Sequence, residues 1–152
     1  MSHWNVICSV PRACISANGM SPDPNKIKVV VDWPAPTNVT EVHQFLGLAS
    51  YYRRYVQNFS AIAAPLHTLT QKGVPFCWDQ ACTDAFNTLK DHLVNFPVLA
   101  YPSFEQNAGE FVLQTDASAI ALGAVLEQQG HVIAYASRSV TASERNYSVI
   151  QQ

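Results

Sequence analysis

Two carboxylates carry the chemistry this sequence could support. Asp116 lies in Thr115-Asp116-Ala117-Ser118 at the end of an apolar run, and Glu144 closes Thr141-Ala142-Ser143-Glu144. Strands in a sheet stand about 4.8 Å apart, so a helix entering over a sheet can bring Glu144 beside Asp116. Paired carboxylates on a rigid sheet suit Mg²⁺, which takes hard oxygen ligands in octahedral geometry. Two such ions about 4 Å apart activate a water and stabilise the leaving oxygen of a phosphodiester. Two carboxylates are too few for a tight two-metal site. Each also has a purely structural explanation: aspartate is a frequent turn residue. Glu144 completes a capping box with Thr141, worth of order 1 kcal/mol. No two acids are adjacent anywhere in the chain. That excludes the clustered carboxylates on one turn that nucleotidyl transfer needs.

A second cluster is Tyr51, Tyr52, Arg53, Arg54 and Tyr55. Arginine grips phosphates and tyrosine stacks on sugars or bases. Helical spacing turns Tyr52 inward and leaves Arg53 and Arg54 to solvent, for duplex contact or for simple solubility. His43, His67, His92 and His131 share no relay spacing. Cys8, Cys14, Cys77 and Cys82 form no C-x-x-C pair, so neither zinc nor a disulfide framework is expected. No glycine-rich phosphate loop and no G-x-S-x-G elbow occurs.

The 152 residues hold 48% hydrophobic and 13% charged side chains. Such a chain buries a core and is not a disordered tail. The longest apolar runs are too short to span a bilayer, and the start carries no secretory pattern, so a soluble intracellular chain without membrane partners is expected. Six cations against three acids in residues 1–76 give way to three cations against eight acids in 77–152. A basic half joined to an acidic half fits one part holding a polyanion and another holding cations.

Turn chemistry dominates residues 1–37, where Asn18-Gly19 and five prolines predict a hairpin or loop leading into a short helix. Asn38 caps the next helix, with Glu41 reaching back to the cap amide and Val42, Phe45, Leu46, Ala49, Tyr52 and Val56 forming its stripe. More helix around 60–70 stops at Lys72-Gly73. Asp79 caps a further helix with the stripe Cys82, Ala85, Phe86, Leu89 and Leu93. Beyond residue 97 the period changes. PVLAYP reads as a short extended segment, and 111–118, 119–128 and 131–139 read as strands, the last two joined at Gln129-Gly130. A helix should start at Thr141. In an incomplete sheet, the strand from Ala119 to Leu126 is expected to lie exposed and prone to aggregate.

These segments together have a familiar wording. FLGLASYYRRYVQNFSAIAAPLHTLTQKGVPFCW (45–78), PVLAYP (97–102), TDAS (115–118), GAVLEQ (123–128) and IAYASRSVTASERNYSVI (133–150) closely resemble a gypsy-type LTR-retrotransposon Pol polyprotein. The resemblance covers residues 15 to 152. It implies an α+β chain: a small helical thumb-like subdomain, then a truncated ribonuclease H-like α/β fold of three strands and the start of one helix. The implied boundaries are an unmatched segment over 1–14, a palm-to-thumb connector over 15–37, the thumb-like helices over 38–96 and the ribonuclease H-like part over 97–152. The resemblance further implies that Asp116 and Glu144 are catalytic and hold Mg²⁺, and that Arg53 and Arg54 contact the duplex. The partners would be an RNA–DNA hybrid or DNA duplex and the rest of the Pol polyprotein. The parent activity would be RNA-directed DNA synthesis with hydrolysis of hybrid RNA, and the isolated chain would be inactive. The rival readings are a non-catalytic nucleic-acid-binding piece and a decayed element copy without selected function.

Overall fold

The computed structural model describes residues 7–10, 13–16, 19–141 and 144. Its order is β1 (Ile7–Val10), β2 (Ala13–Ser16), β3 (Gly19–Pro22), α1 (Pro24–Val31), α2 (Val39–Tyr51), a 3₁₀ turn (Arg53–Tyr55), α3 (Phe59–Ile62), α4 (Ala64–Leu69), α5 (Gln80–Val94), β4 (Phe111–Ala117), β5 (Ala121–Gln128) and β6 (His131–Ser139). The strands form two antiparallel three-stranded meanders, β1-β2-β3 and β4-β5-β6, with the helices between them in sequence. The helix after Thr141 falls largely outside the described residues.

Each helix starts where its cap chemistry allows. Asp23 accepts from the Asn25 amide with Pro24 at the first helical position, and Asp79 accepts from the Cys82 amide. Asn38 accepts from the amide of Glu41 at 2.9 Å. Glu41 reaches one residue further back than a standard capping box, taking the Thr37 amide at 2.7 Å and its hydroxyl at 3.0 Å. The two stripes then enter one core: Val42, Phe45, Leu46, Ala49, Tyr52 and Val56 with Cys82, Ala85, Phe86, Leu89 and Leu93, all of them buried. Phe45 sits at the centre, its ring 4.6 Å from Phe86 and 6.4 Å from Trp33. Lys90 ties α5 to the end of α1 by donating to the Trp33 carbonyl at 2.9 Å.

The extended segment before β4 joins both sheets to this core. Leu99, 1% exposed, exchanges two backbone hydrogen bonds with Met20 of β3. The next amide, Ala100, donates to the Val132 carbonyl of β6 at 2.8 Å. Gln129 and Gly130 both take positive φ, 53° and 75°, the geometry of a two-residue hairpin turn that matches the twist of β5 and β6. Gln128, buried at the end of β5, accepts from the Ser103 amide and donates to the Ser103 and Gly109 carbonyls, closing the mouth of the intervening loop. β5 is the central strand of its sheet, flanked on both sides. Of the expected exposed stretch 119–126, Ala119 and Ile120 are exposed, Ala121 is buried and the rest are half-buried, while β4 is exposed along its whole length, with Leu113 at 64%.

Replacing Leu89, fully buried, with alanine should destabilise the chain by about 2–5 kcal/mol through lost transfer energy and the cavity left behind. Val94→Ala, on the same helix but half exposed, should change stability by less than about 1 kcal/mol. Chemical denaturation of the two variants checks both.

Candidate active site

Register decides which side chains share a face, because residues directly opposite in a sheet point the same way. Asp116 pairs with Gly123, and Gly123 pairs with Ser137, so one row crosses all three strands. The next row, Ala117–Leu122–Arg138, points to the other face. The first face meets the helices. Both rows, with Thr115, Ala124 and Ala136, line a shallow concavity of about 600 Å³.

Asp116 ends β4 with an exposed side chain. Glu144 is held elsewhere. Arg138 grips its carboxylate with both terminal nitrogens, at 2.8 and 2.6 Å, and Glu144 also accepts from the Thr141 amide at 2.9 Å and the Thr141 hydroxyl at 2.8 Å. The expected capping box is thus formed, its return bond from the Glu144 amide to the Thr141 hydroxyl spanning 3.4 Å. Arg138 stands in the row next to that of Asp116, lines the same concavity, and draws Glu144 to itself. Among the described residues no group of three or more histidine, cysteine or acidic side chains is placed to hold a metal ion.

The two arginines also part ways. Arg53, exposed like its neighbour, donates from Nη2 to the Ser137 carbonyl on the outer edge of β6. Arg54 is exposed, with its guanidinium 5.8 Å from the Tyr55 ring centroid. Beside Arg53, the buried amide of Ser60 donates to Ser137 Oγ at 3.0 Å, and that hydroxyl donates to Ser60 Oγ at 3.1 Å. Asn58, in left-handed backbone at φ 55°, lies over Gly123 so closely that a Cβ there would collide with its Oδ1. Sequence periodicity gave no sign of this junction, since a serine inside a strand and a glycine inside another look like ordinary filler.

The Arg138 guanidinium, then the Thr141 amide and hydroxyl, hold the Glu144 carboxyl well below the usual glutamate range. A lowered folded value means the pair stabilises the chain fully above the ordinary glutamate value of 4.5 and loses that contribution only as pH falls through the folded value. Carbon-13 NMR titration should find Glu144 still ionised at about pH 3.5. Arg138→Ala should return it toward ordinary titration.

Residues 78–152 match the family described as the RNase H-like domain found in reverse transcriptase. The Drosophila melanogaster Pol polyprotein of transposon 297 is 40% identical over 139 residues, covering 91% of this chain and 13% of that polyprotein. The gypsy Pol polyprotein of the same fly is 37% identical over 146 residues, covering 88% and 14%. The chain therefore spans about one seventh of the relatives it matches. In three dimensions it is similar to the foamy viral protease-reverse transcriptase in complex with RNA/DNA hybrid, with a TM-score of 0.77 and 23% identity over 93% of this chain and 20% of that one. The same viral protein in complex with dsDNA aligns with a TM-score of 0.77 over 94% of this chain and 30% of that one. The fold is that of a segment of the viral enzyme, the chain is similar over most of its length to gypsy-type retrotransposon Pol polyproteins, and its residues 78–152 belong to the RNase H-like domain family found in reverse transcriptase.

Proposed function

We propose that this segment serves, within a complete Pol polyprotein, to hold an RNA–DNA hybrid and to contribute one carboxylate, Asp116, to the hydrolysis of its RNA strand. The supporting observation is the exposed Asp116 carboxylate at the end of a strand inside the family-matched stretch. The helices over 38–96 would act as the thumb that carries the duplex, 15–37 as the connector leading into them, and 97–152 as the start of the nuclease part. Asp116 is a hard oxygen donor and fits Mg²⁺. When bound, the metal would supply an activated water and charge stabilisation at the phosphodiester. The remaining donors would come from elsewhere in the polyprotein. Glu144 enters this reading as the residue that starts a helix and orients Arg138, because its oxygens are already committed. Polymerisation belongs to the parent enzyme. Its setting would be inside the cell, in a cytoplasmic particle or the nucleus.

In a full-length Pol polyprotein carrying this segment, Asp116→Asn should lower cleavage of a labelled hybrid in Mg²⁺ by at least about 100-fold, as expected for a lost metal ligand. Glu144→Gln should stay within about threefold of wild type. Equal losses in the two variants would return Glu144 to the metal, and undiminished cleavage by Asp116→Asn would refute the assignment.

The isolated chain is proposed to bind duplex without cutting it. Arg54, exposed beside Tyr55, is the residue to test. Arg54→Ala should reduce the slope of log affinity against log salt by about one unit, because one fewer counterion is released. Filter binding across a salt series measures it, and an unchanged slope would remove Arg54 from the interface.

A further inference from the structure

We propose that Arg53, Ser60 and Ser137, together with the absent side chain of Gly123, form a clamp that sets where along a bound hybrid the cut falls. This rests on the nuclease reading above. Ser137, Gly123 and Asp116 are successive members of one cross-strand row. The helical region holds the first two and leaves the third at the free end, roughly 10 Å away across two strand spacings. Ser60 and Ser137 are 7% and 8% exposed, a buried polar pair. Their two hydrogen bonds and the Arg53 bond to the Ser137 carbonyl converge on one residue of β6.

Apolar contact is non-directional and lets packed elements slide, whereas hydrogen bonds hold their partners to a few tenths of an ångström. A buried polar pair left half-satisfied is unfavourable, so the junction has one good geometry. Gly123 adds a steric limit. Asn58 closes to the β5 backbone only because no Cβ intervenes. The helices that carry the duplex and the row that carries Asp116 thus move as one body, and the clamp residues are positioning residues that touch no substrate.

The test maps cut positions on an end-labelled RNA–DNA hybrid with a recessed DNA end, using the full Pol polyprotein. Ser137→Ala and Gly123→Ala should keep total cleavage while raising the share of off-position cuts about fivefold, the population ratio that one net hydrogen bond supports. Ser60→Ala keeps the amide bond to Ser137 and should scatter the cuts less. Unchanged cut positions in all three variants would overturn the clamp. So would a loss of all cutting by Ser137→Ala with unshifted positions in Ser60→Ala, since Ser137 would then serve folding alone. Cutting that survives Asp116→Asn but is still scattered by Ser137→Ala would sink the metal assignment and leave the clamp standing.

Discussion

The dipeptide Leu99-Ala100 is the constraint on which the arrangement turns. Leu99 buries its side chain among the helices and turns its backbone to β3, while the next amide turns to β6. Alternation along an extended chain makes this possible: consecutive peptide groups point to opposite sides, so two residues serve two sheets. The helical core fixes Leu99, Leu99 fixes the first meander, and Ala100 fixes the outer edge of the second. Arg53 engages that same edge further along, at Ser137. β6 is therefore engaged on its outer side at Val132 and Ser137 as well as along its ladder side, which blunts it as a template for another chain.

The helices were legible because burial forces a 3.6-residue period, and no position of either stripe proved exposed. Their caps were legible because only a few side chains can serve free amides at a helix start. The hairpin at Gln129-Gly130 announced itself for the same local reason. Long-range parity was not legible. Whether Asp116 and Arg138 share a face depends on which residues of β4, β5 and β6 stand opposite one another, and a shift of one residue would reverse the answer. Of the two explanations of Glu144 open at the sequence level, the cap is the one its hydrogen bonds bear out. Arg138 supplies a nearby cation on its own face, and a carboxylate bound by a guanidinium fork has little left to offer an ion.

Arg53 and Arg54 make the same point on a smaller scale. Adjacent and chemically identical, they have different fates because the 3₁₀ turn aims one at a strand edge and the other at solvent. Both are exposed, as helical spacing expects, and only their hydrogen-bonding differs.

The single amide of Gln128 bears on how this fold can vary. It gathers Ser103 and Gly109, the two ends of an excursion whose middle residues, including the 83%-exposed Phe104 beside its start, pack little. Because that staple originates from β5 and not from the excursion itself, residues between Glu105 and Ala108 can be lengthened, shortened or recoloured without shifting any strand.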